Sequence, residues 1–413
     1  MEAGRPRPNK RPRAAPSAAS AAGAAAAAKS SRSQTTAAAT TGERDGDDDE
    51  QQRAKTPKTP KRPALAAHKE TLDVAECLKA LRRSQIQVGL QQPVEVGCMT
   101  RNAQREWQYG DNSGYGLLNM LGGKFGRDLN EGFDDFERAW TPPVPDSLDH
   151  ILRSLQKAGF ERKPAVVAWR GILTKLMCAP FLRRDTFEMA VWKCDGVLYL
   201  SNREPPSKVE DDKNMSSKLK RFMYYGYKFE EVMTRPQGKE TEARAVDPSE
   251  CYCRVFKTRV ADKLVVAAAE MDCRDPRGSD VELKVTRLLE TPSNVRSFER
   301  FKLLKWYCQS FLSGVPYILV GFRDDDGSLR KTQFLKTLDI PNGLKEPHWD
   351  SVLCIKFLDH VLAWLIRLIP NIPRSSINAS PIYLLKTTLD GDLELFQDYR
   401  LPEEVFDDLN IYL

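Results

Sequence analysis

The chain has 413 residues, with 63 Lys+Arg against 57 Asp+Glu and a formal net charge of +6. Residues 1–68 hold thirteen basic and seven acidic residues, so the remaining 345 carry 50 of each and are neutral overall. A neutral body excludes a uniformly basic nucleic-acid coat, which needs a global positive field, while its length suffices for one large core or two ordinary ones.

Residues 1–68 read as a disordered arm: Pro/Arg-rich, then Ala-rich through Ala24–Ala28, then an acidic knot (Asp45–Glu50) and KTPKTPKRP. The arm has no aromatic residue whose burial could offset its chain entropy. The basic clusters Lys10–Arg13 and Lys55–Arg62 predict nuclear localisation, with the cytoplasm as a further location. Thr56-Pro57 and Thr59-Pro60 are candidate phosphorylation sites, and a solvated charge run is the plainer alternative. The start, MEAGRPRPNKRPR, has no apolar stretch, so no secretory signal is expected.

Residues 69–413 read as globular, as one large domain or two. Apolar spacing predicts helices over Leu148–Lys157 and Ala165–Met177. Phe187–Lys193 and Val197–Leu200 alternate around Asp195-Gly196, a hairpin signal. Lys218–Met233 reads as an aromatic-rich helix, followed by strands Cys251–Val260, Leu264–Asp272 and Val281–Leu288. An amphipathic helix Phe298–Phe311 should end near Gly314, with a buried strand Pro316–Phe322 after it. Asp324-Asp325-Asp326-Gly327 lacks calcium-loop spacing and reads as a hairpin turn, and Val352–Ile369 reads as a long helix. Mixed strands and helices predict an α/β or α+β fold around a substantial sheet. The most apolar stretches, Val315–Phe322 and Val361–Ile369, are too short to span a bilayer, so no membrane role is expected.

The chemistry concentrates between Leu264 and Lys284. KLVVAAAEMD is an apolar strand ending in Glu270 and Asp272, whose spacing of two puts both carboxylates on one face. In VELKV, Glu282 and Lys284 share a face in the same way. If the two strands are neighbours, all four residues converge at one end of a sheet. Oxygen ligands of this kind hold Mg²⁺ or Mn²⁺ for phosphodiester hydrolysis, and a nearby Lys stabilises the developing charge. An acidic residue followed by E-x-K on the next strand is the general pattern of PD-(D/E)xK nucleases. Solvated Glu/Lys pairs on a surface strand fit the same spacing, so the spacing leaves both readings open. Glu230, in RFMYYGYKFEE, is a further candidate carboxylate among aromatics that are most simply core.

GYKFE (226–230), EMD (270–272), ELK (282–284), KLLKWYCQSF (302–311) and GFR (321–323), preceded by WRG (169–171), resemble the DXO decapping-exoribonuclease family in content and order. The likeness runs from about Gly97 to Arg323 and more loosely beyond. It implies that residues 69–413 form a single domain of two β-sheets flanked by helices, with an active site in a deep pocket. It further implies Mg²⁺- or Mn²⁺-dependent hydrolysis at RNA 5′ ends: removal of incomplete or NAD caps, pyrophosphate release from 5′-triphosphates, and 5′→3′ exonuclease action. By motif, Glu230, Glu270, Asp272, Glu282 and the Leu283 carbonyl would bind metal, with Lys284 at the water or scissile phosphate. Gln309, Trp169, Arg170, Gly171 and Arg105 match substrate contacts, and Cys253 and Asp146 match weaker ones. Lys305 is a rim contact or a solvated charge. Three departures stand out: Ala269 replaces a frequent Gly, Tyr307 a frequent Trp, and Asp146 a longer Glu.

Other chemistries find little support. His150, His348 and His360 are scattered, and nine cysteines include no C-x-x-C, which fits a reducing compartment. No G-x-G-x-x-G or Walker A segment occurs. Two alternatives remain beside decapping: a non-catalytic partner that stabilises a larger 5′→3′ exoribonuclease, and a DNA-directed nuclease, which the WRG and KLLKWYCQ motifs disfavour.

Overall fold

The run KLVVAAAE forms the strand Lys263–Glu270, in which every residue from Val265 to Ala269 is buried. Val265, Ala267 and Ala269 enter one core layer, while Val266 and Ala268 enter another. Coverage of both faces is why the sequence here is continuously apolar rather than alternating. This strand lies inside a large mixed sheet of the computed structural model, which describes residues 68–142, 147–235, 246–375 and 382–398. Residues 1–67 of the expected arm, 1–68, lie outside the described residues, and His68 is corrected to the first residue of the strand His68–Leu72, paired with Phe396.

Among these, ten strands form one sheet in the order His68–Leu72, Leu393–Asp398, Ile382–Thr387, Glu188–Cys194, Val197–Arg203, Val166–Trp169, Lys263–Glu270, Cys251–Val260, Val94–Arg101 and Trp107–Tyr109. A second sheet has six, in the order Leu329–Lys336, Tyr317–Arg323, Asp280–Arg287, Cys273–Arg274, Gly116–Leu118 and Thr234–Arg235. Helices Arg170–Cys178, Leu304–Ser313 and Ser351–Leu368 contribute to the larger core layer, and Asp149–Lys157 to the smaller. Helix Ser217–Met233 packs on the six-stranded sheet, with Phe229 filling the space left by Gly321. The expected fold class, mixed α and β with two sheets flanked by helices, is what forms. No helix among the described residues is long and apolar enough to cross a membrane.

Two expectations need correction. Ala165–Met177 is not one helix: Val166–Trp169 is a strand parallel to both neighbours, and the helix begins at Arg170. A short apolar run fits either period, and pairing on both sides decides for the strand. Likewise, the strand expected to reach Asp272 ends at Glu270. The Met271 amide donates to the Tyr252 carbonyl at 3.0 Å, and Cys273 already pairs with Val281 in the other sheet. Lys263–Glu270 and Asp280–Arg287 are therefore not neighbours but belong to different sheets. Glu270 and Asp272 flank the point where the chain passes between them.

The other elements match closely. Asp195 and Gly196, with φ of 47° and 81°, turn the hairpin Glu188–Cys194/Val197–Arg203. Gly314 ends its helix at φ 72°. The helix expected over Phe298–Phe311 is split, with a π-helical turn Phe298–Leu303 before the α-helix Leu304–Ser313.

Candidate active site at the junction of the two sheets

The passage between sheets sets the geometry. Asp272 Oδ2 accepts a hydrogen bond from the Leu283 amide at 2.6 Å, which ties the crossing segment to the E-x-K strand. Gly116 faces this crossing, where a Cβ would lie 3.1 Å from the Asp272 carbonyl oxygen, closer than side chains normally sit. Glu282 is 2 % exposed. Its Oε1 accepts from Lys284 Nζ at 2.5 Å and from Gln309 Nε2 at 2.5 Å. Gln309 comes from helix Leu304–Ser313 and Lys284 from the strand of Glu282 itself, so two elements meet on one carboxylate oxygen.

The electrostatics bring Glu230 and Glu270 into the same field. Burial pushes the Glu230 carboxyl well above the carboxylate range, and Asp272, Glu270 and Glu282 push it further while Lys284 opposes. Asp272 is pushed up to about 7, first by burial and then by Glu282, against Lys284 and the Leu283 amide. Burial also raises Glu282, but Lys284, Arg170 and the hydrogen bonds from Lys284 and Gln309 hold it below its ordinary value. Lys284 moves up despite burial, because Glu282, Asp272 and Glu230 surround it. Four carboxylates thus share a site whose own cations do not balance them, the electrostatic condition that suits a divalent ion. Among the described residues no three His, Cys, Asp or Glu side chains form a closed ligand cluster. The carboxylates feel one another's charge without being drawn to ligand spacing.

The remaining expected residues divide in two groups. Arg170 is buried, reaches the Glu270 carbonyl at 3.4 Å and adds positive charge at Glu282. Beside it, Trp169 donates from Nε1 to the Ser147 carbonyl at 3.1 Å, and a Cβ on Gly171 would meet open space. Arg105 sits on the turn after Val94–Arg101, at φ 64°, and donates to Thr141 Oγ1 at 3.2 Å, without a bond to the carboxylates. Cys253 pairs opposite Glu270 but is buried in the smaller core layer, so its thiol packs as core. Asp146 lies outside the described residues. Lys305 forms a half-exposed ion pair with Asp185 at 2.6 Å, the solvated alternative.

Sequence reasoning missed the bracket beneath this site. Arg254 Nη1 and Nη2 fork onto Asp280 Oδ2 and Oδ1 at 2.6 and 2.9 Å, and Tyr115 Oη donates to Asp280 Oδ1 at 2.5 Å. Arg254 belongs to the ten-stranded sheet and Asp280 to the six-stranded one, so the fork joins the sheets two residues from Glu282. An Arg inside the apolar strand CYCRVF was the available signal.

Residues 91–404 match the family described as RAI1 like PD-(D/E)XK nuclease. The chain is 32 % identical over 288 residues to the Decapping and exoribonuclease protein of Mus musculus, covering 64 % of this chain and 72 % of that one. It is 31 % identical over 303 residues to the Decapping nuclease RAI1 of Emericella nidulans, covering 67 % and 82 %. The crystal structure of S. pombe Rai1 superposes with a TM-score of 0.62 at 27 % identity, over 78 % of this chain and 97 % of that one. Candida albicans Rai1 in complex with pU5-Mn²⁺ shares the fold, with a TM-score of 0.67 at 22 % identity over 83 % and 95 %. Together with the carboxylates at the sheet junction, these matches establish that the chain belongs to the RAI1-like PD-(D/E)XK nuclease family.

Proposed function

We propose that this protein is a divalent-metal-dependent decapping nuclease that hydrolyses phosphate linkages at RNA 5′ ends, with Mg²⁺ or Mn²⁺ as the ion. Its substrates in this reading are incompletely capped, NAD-capped and 5′-triphosphate RNA, with 5′→3′ exonuclease action on the product. The observation that carries the reading is the way the E-x-K strand holds its acidic neighbours: the Leu283 amide donates to Asp272, while Lys284 and Gln309 donate to Glu282, with Glu230 and Glu270 in the same electrostatic field. Curated relatives named for decapping and exoribonuclease activity support the substrate class, and solved relatives in complex with 3′-FADP or pU5-Mn²⁺ support the ligand chemistry.

Glu230, Glu270, Asp272, Glu282 and the Leu283 carbonyl would hold the metal. Bound there, a divalent ion would supply water activation and neutralise charge on the phosphate oxygens. The protein's own groups do the rest. Lys284 and Gln309 fix the Glu282 carboxylate by donating to one oxygen, which sets its rotamer. Lys284 stays protonated and supplies fixed positive charge where negative charge develops. Arg170, buried at the start of its helix, offers a planar fork suited to phosphate oxygens.

The basic clusters of the arm support a nuclear location, read by imaging a tagged chain with and without residues 1–68. A 5′→3′ exoribonuclease partner, which the family resemblance suggests, would appear as a stoichiometric co-purifying nuclease. The deciding experiment for the activity uses RNAs that differ only at the 5′ end, with Mg²⁺ or Mn²⁺, beside a Glu270→Ala/Asp272→Ala control. Pyrophosphate, a cap dinucleotide or NAD released by the wild type alone supports the reading and identifies the substrate. No product from any RNA, with the fold intact by circular dichroism, overturns it in favour of the non-catalytic partner.

A further inference from the structure

An aromatic cluster next to the carboxylates has a half-buried rim that the proposed chemistry does not use. Phe133, Phe136 and Tyr224 are buried, and Trp140 and Tyr227 pack on them from the edge. Phe136 touches both rim residues, with ring centroids 5.6 Å from Trp140 and 5.9 Å from Tyr227. Both rim rings stay half-buried. Tyr227 lies three residues before Glu230, on the same side of helix Ser217–Met233. The charges of Glu230 and Glu270 reach its hydroxyl, so the rim borders the carboxylate site. At the other end, Trp140 precedes Thr141, whose hydroxyl accepts from Arg105. The Lys220 ammonium lies 5.9 Å from the Trp140 ring centroid and has no ion pair among the described residues.

A row of carboxylates, then two aromatic rings, then two cations is the sequence of surfaces that a single-stranded nucleic-acid end requires. The phosphate needs metal ligands, a base needs a ring to stack on, and the next phosphates need positive charge. We propose that Trp140 and Tyr227 form a stacking shelf for one nucleobase among the first nucleotides of the RNA, with Lys220 and Arg105 facing its phosphates. This deepens the reading of the protein as an RNA 5′-end hydrolase and rests on it. The shelf reads no base identity, because every base offers a π-face.

The test uses the full chain with 5′-triphosphate RNA and matched RNAs made abasic at one of the first three positions. Trp140→Ala should raise KM at least about fivefold with kcat within about twofold, given that stacking contributes about 1–3 kcal/mol per base. Trp140→Phe should restore most of the loss. One abasic RNA should show the same KM rise with the wild type and no further rise with Trp140→Ala. The inference fails if Trp140→Ala weakens every RNA equally, abasic ones included. It also fails if Trp140→Phe is as damaging as Trp140→Ala, which would mark a packing role. Quenching of tryptophan fluorescence by single-stranded RNA, wild type against Trp140→Phe, tests the shelf without turnover. A smaller quench in the variant, with Trp169 supplying the remainder, supports the shelf even if the wild type hydrolyses nothing, an outcome that would overturn only the hydrolase reading. Equal quenching in both overturns the shelf.

Discussion

Removing Asp280 tests whether the Arg254 fork holds the two sheets in register at the site. The side chains of Arg254 and Asp280 are 12 % and 14 % exposed, so neither can fall back on full hydration. Asp280→Ala leaves the Arg254 guanidinium with Glu95 at 3.1 Å, a partner that is 45 % exposed, and with Arg274 nearby as a like charge. Tyr115 keeps an acceptor, the Cys273 carbonyl at 3.3 Å, so it adds little to the penalty. Breaking a buried pair by deleting one partner costs about 3–5 kcal/mol, and the surviving Glu95 contact puts this case near about 3 kcal/mol. With a urea dependence of about 3 kcal/mol per molar, the unfolding midpoint should fall by about 1 M. Hydrolysis measured well below that midpoint should fall as well, because Glu282 lies two residues along the same strand. Arg254→Met combined with Asp280→Ala should recover part of the stability, since no uncompensated charge remains. Single losses below about 1 kcal/mol would mean the pair behaves like a surface ion pair. Strict additivity in the double variant would equally refute the argument.

Three further outcomes follow from the same geometry. Glu230→Gln should leave the metal-free protein as stable or more stable, because burial and three carboxylates disfavour the Glu230 charge. The same variant should lose hydrolysis and most of the thermal shift that Mn²⁺ gives the wild type, as read by melting with and without chelator. Gly321→Ala would put a Cβ 2.5 Å from the Phe229 ring, next to Glu230, and should cost about 1–3 kcal/mol with weakened metal response. Deleting residues 1–68 removes a surplus of six positive charges and should flatten the salt dependence of RNA binding, while the neutral body keeps a shallow slope. An unchanged slope would show that the arm does not touch RNA.

Local features were the legible ones. The Asp195-Gly196 hairpin, the helix carrying Glu230 and the Gly314 helix end each depend on a few adjacent residues, and the sequence states them directly. The candidates Glu270, Asp272, Glu282 and Lys284 could be picked out for a similar reason, as a charged pattern within one short stretch of sequence. How those residues meet was not legible. Nothing in KLVVAAAEMDC announces that the chain changes sheet at Met271, because that depends on Cys273 finding Gly116 and Val281 as partners. The strand within AVVAWRGIL was hidden similarly, its apolar run being decided by neighbours 30 to 100 positions away in sequence. Arg254 and Asp280 escaped notice because each alone looks like an ordinary charge on a strand.

The crossing at Met271 and Asp272 also bears on when this chain can cut RNA. Its carboxylates come from a helix, from the end of one sheet and from the middle of another, spread over positions 230 to 282. No one of these units carries the full set. If the proposed site is the working one, a chain that has assembled only one sheet, during synthesis or after partial unfolding, lacks a competent centre. Hydrolytic capacity should arise late and all at once, as the last docking step of folding. A nuclease built on that site should be silent as a nascent or damaged chain.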